Sequence, residues 1–207
     1  MLKGLRTSIV MFLLVFTSCS STINNEEELL HWLGDMDNGF VKKNRANGFL
    51  LSMKYLPPEY LAINEMKKDS NDNMKDLNQY ISEFKNSRTF LLTISNDDQS
   101  MNAGNYDVAN MAEYGARIRD LSFNIKEILT LKTTSGKKYK PVLTTMENSY
   151  EIVNKRSIYM VFSDDEKEIM DSEQLDVVFE DTFLDTGINH FVFESKKINN
   201  LPNLNFN

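Results

Sequence analysis

The chain contains a single cysteine, Cys19, so no disulfide bond can form within it. Its fold must therefore depend on packed side chains alone. The 207 residues, of which 41% are hydrophobic and 11% aromatic, supply the material for a buried core. A chain of this length hides roughly 70% of its unfolded surface. This composition excludes wholesale disorder, a collagen-like repeat and a coiled coil, and it predicts a globular protein.

The residues before Cys19 follow the order of a secretory signal. Lys3 and Arg6 precede an apolar run over residues 9–16, and the small Thr17 and Ser18 come directly before the cysteine. Such a charged, apolar and small-residue order is typical of a segment that is removed after export. The apolar run is far shorter than the about 20 residues needed to span a bilayer. We therefore predict that residues 1–18 are a cleaved signal peptide.

The four residues Phe16-Thr17-Ser18-Cys19 resemble the lipobox of bacterial lipoproteins. The resemblance implies a diacylglyceryl group on the Cys19 sulfur, cleavage before Cys19 and acylation of the new amino group. It also implies a membrane-anchored envelope protein, held in the outer membrane if the cell is Gram-negative. Residues 19–25 are then a lipidated tether. An ordinary secretory signal followed by a chance cysteine is the alternative.

The overall charge bears on the partners of the protein. With 30 acidic against 23 basic residues the formal net charge is −7. An acidic body repels nucleic acid phosphates, so nucleic acid is not a predicted partner. The expected partners are the membrane, through the lipid, and other envelope proteins.

The first half of the chain predicts helices mixed with strands. Asn24 or Asn25 is placed to cap the first helix, Asn47-Gly48 to form a hairpin turn, and Pro58 to begin a helix. The predicted helices cover residues 26–33, 58–68, 74–84 and 108–121, and the predicted strands cover 40–45, 49–56 and 90–94.

The second half predicts mostly strands, with a hairpin turn at Ser135-Gly136. The predicted strands cover residues 123–133, 138–146, 157–163, 174–181 and 190–196, with a short helix over 164–170 and a final edge strand or partner-binding tail over 198–206. We therefore predict an α+β fold, mainly antiparallel sheet or sandwich, with three or so helices in the N-terminal half. Residues 26–207 form a single domain, and a division near residue 120 is the alternative.

Two segments of this half weakly resemble a known class of exported lipoprotein domain. Lys138-Tyr139-Lys140-Pro141 and the later run from Ile158 to Phe162 are similar to paired strands of immunoglobulin-like and transthyretin-like sandwiches. The resemblance implies a β-sandwich in this part of the chain.

Nucleophilic catalysis finds little support in the residues. Cys19 is committed to lipid, and no Gly-x-Ser-x-Gly motif occurs. A Ser-His-Asp triad would need His31 or His190, the only two histidines. His31 is interpreted as an exposed helix residue and His190 as a strand-edge residue with local contacts. No catalytic residue is predicted.

Metal sites are equally incomplete in the sequence. Two distant histidines do not favour zinc. Asp69-x-Asn71-x-Asn73 matches the opening of an EF-hand loop, but Met74 replaces the turn glycine and Tyr80 the bidentate glutamate. The Asp35-x-Asp37-x-Gly39 segment is also incomplete. No metal and no cofactor are predicted, and calcium is kept as an alternative.

The remaining candidate is a surface for a partner. Tyr55-Leu-Pro-Pro-Glu-Tyr60 is a rigid turn between aromatic residues, so Tyr55, Pro57, Pro58 and Tyr60 are the candidate partner-binding residues. The alternative is a strand-to-helix corner whose tyrosines pack inward. The predicted function is a non-enzymatic interaction or scaffolding component of an envelope assembly. A lipoprotein that binds glycan or calcium is the alternative, followed by an envelope hydrolase that uses a carboxylate pair.

Overall fold

The structure, a computed structural model, describes residues 22–69, 76–96, 106–147, 155–163 and 165–205. The predicted signal peptide and Cys19 lie outside this part, as do Asn71, Asn73 and Met74. The described chain mixes helices and antiparallel sheets, which confirms the predicted class at that level.

The strands are, in chain order, β1 (Thr22–Ile23), β2 (Val41–Ala46), β3 (Phe49–Leu56), β4 (Ser87–Asn96), β5 (Leu129–Thr133), β6 (Lys138–Tyr139), β7 (Leu143–Met146), β8 (Lys155–Ser163), β9 (Gln174–Glu180), β10 (Ile188–Glu194) and β11 (Asn203–Leu204). The helices are α1 (Glu26–Gly34), α2 (Pro58–Lys68), α3 (Leu77–Phe84), α4 (Met111–Arg119), α5 (Glu168–Asp171) and α6 (Ser195–Ile198). α1, α2 and α3 lie in the N-terminal half, but α4, α5 and α6 follow in the second half, so the described helices do not concentrate in the first half in the way that the sequence predicts.

One sheet has five strands in the order β2-β3-β4-β8-β7, and each neighbouring pair is antiparallel. Its first hairpin turns at Asn47 and Gly48, whose φ angles of 49° and 74° are both positive. Asparagine and glycine tolerate this conformation better than other residues, which is why the dipeptide predicts the turn correctly.

The second sheet has four antiparallel strands in the order β10-β9-β5-β6. Gly136, with a φ of 87°, makes the predicted turn between β5 and β6. The predicted strand over residues 138–146 is wrong, because β6 and β7 belong to different sheets. Pro141 lies between them and has no N–H to continue a strand ladder, so the chain crosses from one sheet to the other there.

The two sheets share one apolar core. Phe90 of β4 contacts Phe193 of β10, with ring centroids 5.1 Å apart. The strands that alternate buried with exposed residues direct their buried side chains into this core. Phe49, Leu51, Met53, Leu92, Ile94, Ile158, Met160 and Phe162 of the five-stranded sheet join Leu129, Leu131, Leu175, Val177, Phe179 and Phe191 of the four-stranded sheet.

The chain between α4 and β5 is helical where a strand is predicted. A π-helical turn covers Asp120–Asn124 and a 3-10 turn covers Ile125–Ile128, so the strand predicted over 123–133 begins only at Leu129. Leu121 and Ile125 are both buried, and their spacing of four residues places them on one helical face. Burial of that face favours helix over strand.

The first and last described strands pair with each other. β1 runs parallel to β11, and the Asn205 N–H donates to the Ile23 carbonyl at 2.9 Å. Ile23 is buried against the core. Thr22 and Ile23, which are predicted to belong to a tether, are therefore part of the folded body. Of the range 198–206, predicted as an edge strand or a partner-binding tail, Asn203–Leu204 form a strand and Ile198 ends a helix. Within the described ranges, no helix is both long and apolar enough to cross a membrane.

Candidate functional site

The predicted partner-binding corner is only partly at the surface. Tyr55 is 1% exposed, and its hydroxyl accepts a hydrogen bond of 2.7 Å from the Arg88 guanidinium. Burial raises the pKa of Tyr55. Pro57 is also buried, whereas Pro58 and Tyr60 remain half-exposed. The inward-packing alternative therefore describes Tyr55, and contact with a partner stays a prediction for Pro58 and Tyr60.

The two histidines lie on different elements of the fold. His31 is exposed in α1. His190 lies on β10, an end strand of its sheet, and its Nδ1 is 2.8 Å from Asp176 Oδ2 on β9. This local contact confirms the strand-edge interpretation. Among the described residues, no serine or threonine hydroxyl is hydrogen bonded to the His190 ring, so a triad is not assembled there.

The two calcium-like segments are used for local structure. Asp69 accepts a hydrogen bond of 2.9 Å from the Tyr80 hydroxyl. Asp35 accepts one of 3.0 Å from the Asp37 N–H and so caps a 3-10 turn over Met36–Asn38. Over the part of the chain that the structure describes, no three histidine, cysteine or acidic side chains converge as metal ligands would.

A hydroxyl-rich cluster surrounds Glu168 at the β5–β6 turn. Its carboxylate accepts hydrogen bonds from Thr133 Oγ1 at 2.8 Å, from Ser135 Oγ, and from the Tyr139 hydroxyl at 3.3 Å. Lys137 Nζ lies 3.5 Å away. The Ser135 and Thr133 donors lower the pKa of Glu168. A general acid for glycoside hydrolysis needs a raised pKa, so Glu168 is suited to holding the turn and not to that role.

Two cavities adjoin this cluster. One, of about 300 Å³, lies between the β5–β6 turn and α5, and the other, of about 460 Å³, lies between α5 and α6. They share Asp171, Ser172 and Glu173. Ser172 Oγ accepts from the Thr134 N–H at 2.9 Å, which ties the loop after α5 to the turn. The sequence does not predict this arrangement, because the turn and α5 are more than thirty positions apart.

The outward face of the five-stranded sheet carries another unpredicted feature. Its five strands contain no aspartate or glutamate, although the chain as a whole is acidic. Their basic residues are Lys42, Lys43, Arg45, Lys54, Arg88, Lys155 and Arg156. Arg88 and Arg156 are buried inward, and Lys43, Arg45, Lys54 and Lys155 lie on the outward face.

The chain was compared with protein-family models, with curated proteins and with solved structures. No match was found. Function is therefore inferred from the chemistry and geometry of the chain's own residues. The acid-free strands are visible in the sequence once the strand boundaries are known, so this feature could have been found by counting charges strand by strand.

Proposed function

We propose that the chain is a lipid-anchored protein of a bacterial envelope that acts by binding other envelope proteins. The lipobox-like residues before Cys19 support the anchor. Thr22, three positions later, is held in β1 by β11. Because three residues of extended chain reach only about 10 Å, acyl chains on Cys19 would keep the body next to the membrane. Partners in the same membrane are then within reach.

An apolar group at one end of the five-stranded sheet carries the proposed binding role. Val142 and Leu143, at the start of the end strand β7, are 65% and 57% exposed. The π-helical turn beside β7 presents Phe123, which is 72% exposed. Exposed apolar side chains beside an end strand suit a partner that adds a strand or packs an apolar side chain there.

The anchor is tested by labelling and fractionation. Wild-type protein should take up labelled fatty acid and sediment with membranes, and Cys19→Ala should abolish both, because that substitution removes the only thiol. Equal labelling of the two proteins would contradict the anchor.

The binding role is tested by crosslinking the lipidated protein in its own cells and identifying what is purified with it. We expect a defined, stoichiometric set of envelope proteins that is lost with Leu143→Asp. Ile188→Asp is the matched control, since Ile188 is 67% exposed but lies on the other sheet. Recovery of the protein alone, or equal loss with both substitutions, would overturn this role.

A second candidate function is the binding of a ligand at the outward face of the five-stranded sheet. The lysine and arginine side chains there favour an anionic ligand and repel calcium. The sequence suggests glycan or calcium as alternative ligands. Of these two, the positive charge of this surface favours an acidic glycan.

A further inference from the structure

The two sheets differ sharply in charge. The strands of the four-stranded sheet contain Asp176, Glu180 and Glu194 beside Lys132 and Lys138, whereas those of the five-stranded sheet contain seven basic residues and no carboxylate side chain. In a chain with a net charge of −7, cations are thus concentrated on one sheet. An acidic protein that collects positive charge on one face has a surface suited to an anion.

The strand register places the cations in one area. Lys54 pairs across the strands with Val41, so it lies diagonally next to Lys43, and Arg45 follows on the same edge strand. Side chains two residues apart on a strand are about 7 Å apart. Lys155 pairs with Ser95 at the same end of the sheet as Arg45. The four side chains form a surface, here named the basic face, and not a single binding point.

Positive charges on the basic face act on one another. Burial lowers the pKa of Lys54, and the neighbouring charges of Lys43 and Lys155 lower it further. Within the described part of the chain, neither Lys43 nor Lys54 forms an ion pair. A bound anion would relieve this repulsion.

A helix covers one end of the sheet beside the basic face. α2 begins directly after β3 and contains Tyr60. The pKa of Tyr159 on β8 is raised by burial and by the nearby Glu147 and Tyr60, so α2 lies over this part of the sheet. Val41 and Leu56 are buried although they occupy outward positions. A helix stands about 10 Å above the surface it covers. A flat membrane therefore meets α2 before it meets the strands, whereas a narrow chain can lie along them.

We propose that the basic face binds a linear acidic glycan, a polysaccharide that carries carboxylate or sulfate groups. Lys43 and Lys54 would contact the anionic groups, and Arg45 would add to the positive charge of the edge strand. The half-exposed hydroxyls of Ser52 and Thr93, on the same face, would bind sugar hydroxyls. This proposal gives a ligand class to the second candidate function, and it does not depend on the lipid anchor.

The experiment uses the full-length protein in neutral detergent. Polygalacturonate and dextran sulfate are titrated into the protein, with neutral dextran, polyglutamate and a single-stranded oligonucleotide for comparison. The test variant is the triple substitution Lys43→Gln, Arg45→Gln and Lys54→Gln. The control is Lys126→Gln, Lys138→Gln and Lys196→Gln, which removes three exposed cations outside the five-stranded sheet. Thermal melts verify that both variants fold.

We expect one or both acidic glycans to bind and neutral dextran not to bind. The test variant should weaken glycan binding at least tenfold and flatten its dependence on salt, because fewer counterions are released. The control variant should bind within a factor of two of wild type.

The proposal is overturned if neither acidic glycan binds, or if both variants lose affinity equally. Tighter binding of polyglutamate or of the oligonucleotide would assign the face to an acidic peptide or a nucleic acid instead. If the test variant unfolds, Lys43→Gln alone replaces it, with a threefold loss expected.

Discussion

Arg88 is a buried cation with few partners. It is 3% exposed, it donates to the Tyr55 hydroxyl, and its Nε has no hydrogen-bond partner among the described residues. Leaving a buried hydrogen-bond donor without its partner costs about 1–3 kcal/mol, and more when the donor is charged. Tyr55→Phe should therefore lower the free energy of unfolding by about 2 kcal/mol, measured by urea denaturation.

Tyr159→Phe is the control for this prediction, because Tyr159 lies half-exposed on the outward side of β8. It should change the free energy of unfolding by less than about 0.5 kcal/mol. In an Arg88→Met background, Tyr55→Phe should cost much less than in wild type. Equal costs in the two backgrounds would show that the Tyr55–Arg88 bond does not carry the effect.

The positive charge of Lys54 should lower the stability of the protein while it favours the binding of an anion. Its folded-state pKa is lowered from 10.5, so the unfolded chain binds more protons between the two pKa values and stability rises with pH there. Lys54→Met should raise the free energy of unfolding at pH 7 by roughly 0.5 kcal/mol, the scale of a like-charge pair between strands. The gain should shrink toward pH 10, and denaturation at the two pH values measures it. A destabilised variant would contradict the repulsion described for the basic face.

Glu168 should give a pH dependence of the same sign, but in acid, and its charge stabilises the fold where that of Lys54 destabilises it. Its folded-state pKa is lowered from 4.5 by the Ser135 and Thr133 donors. A lowered pKa contributes stability above the unfolded-state value that is lost as the pH falls through the folded-state value. Glu168→Gln should thus lower the melting temperature at pH 7, and the difference from wild type should narrow below pH 4.5. A difference that stays constant from pH 7 to pH 3 would exclude the carboxylate as its cause.

The contact between the two sheets depends on a few aromatic side chains. Phe90 contacts Tyr55, Phe162 and Phe193 and is fully buried. Phe90→Ala should lower the free energy of unfolding by about 3–5 kcal/mol, because it removes a buried ring and leaves a cavity. Phe123→Ala makes the same chemical change at a site that is 72% exposed and should cost less than about 0.5 kcal/mol. Similar midpoints for the two variants in urea would mean that Phe90 does not join the sheets.

Local signals predict part of this fold well. Asn25 accepts from the Glu28 N–H at 2.9 Å and caps α1, and Pro58 is the first residue of α2. Each of these depends on the conformation of one or two residues, which the sequence shows directly. The assignment of β6 and β7 to different sheets depends instead on where the chain crosses the core, and an alternating pattern carries no such information.

The candidate surfaces also contain some residues that the sequence places correctly and others that only the fold brings together. Alternation along β2 and β3 places Lys43, Arg45 and Lys54 on one face from sequence alone. Lys155 joins them only because β8 pairs with β4, across almost sixty positions of the chain. The sequence also suggests a surface position that the fold does not provide. An aromatic residue close to two prolines is typical of an exposed turn, but Tyr55 lies inside the core.

The molecule as a whole has distinct surfaces for distinct tasks. The proposed anchor would enter at β1, the apolar group lies at the end strand β7 of the five-stranded sheet, and the basic face lies on the outward side of that sheet, mainly on β2 and β3. Because the apolar group and the basic face lie mainly on different strands, each can be altered without the other. The Leu143→Asp variant should retain glycan binding, and the basic-face variant should retain its protein partners.

The pairing of β1 with β11 also determines how the protein would respond to mechanical load. Tension between the proposed lipid anchor and a bound partner would enter the described body at Thr22 and pass first through a strand pair only two residues long. In single-molecule stretching from the N-terminal side, this pair should separate at low force, before the five-stranded sheet extends. If the proposed anchor is present, separation of this pair would lengthen the connection to the membrane before the core bears the load.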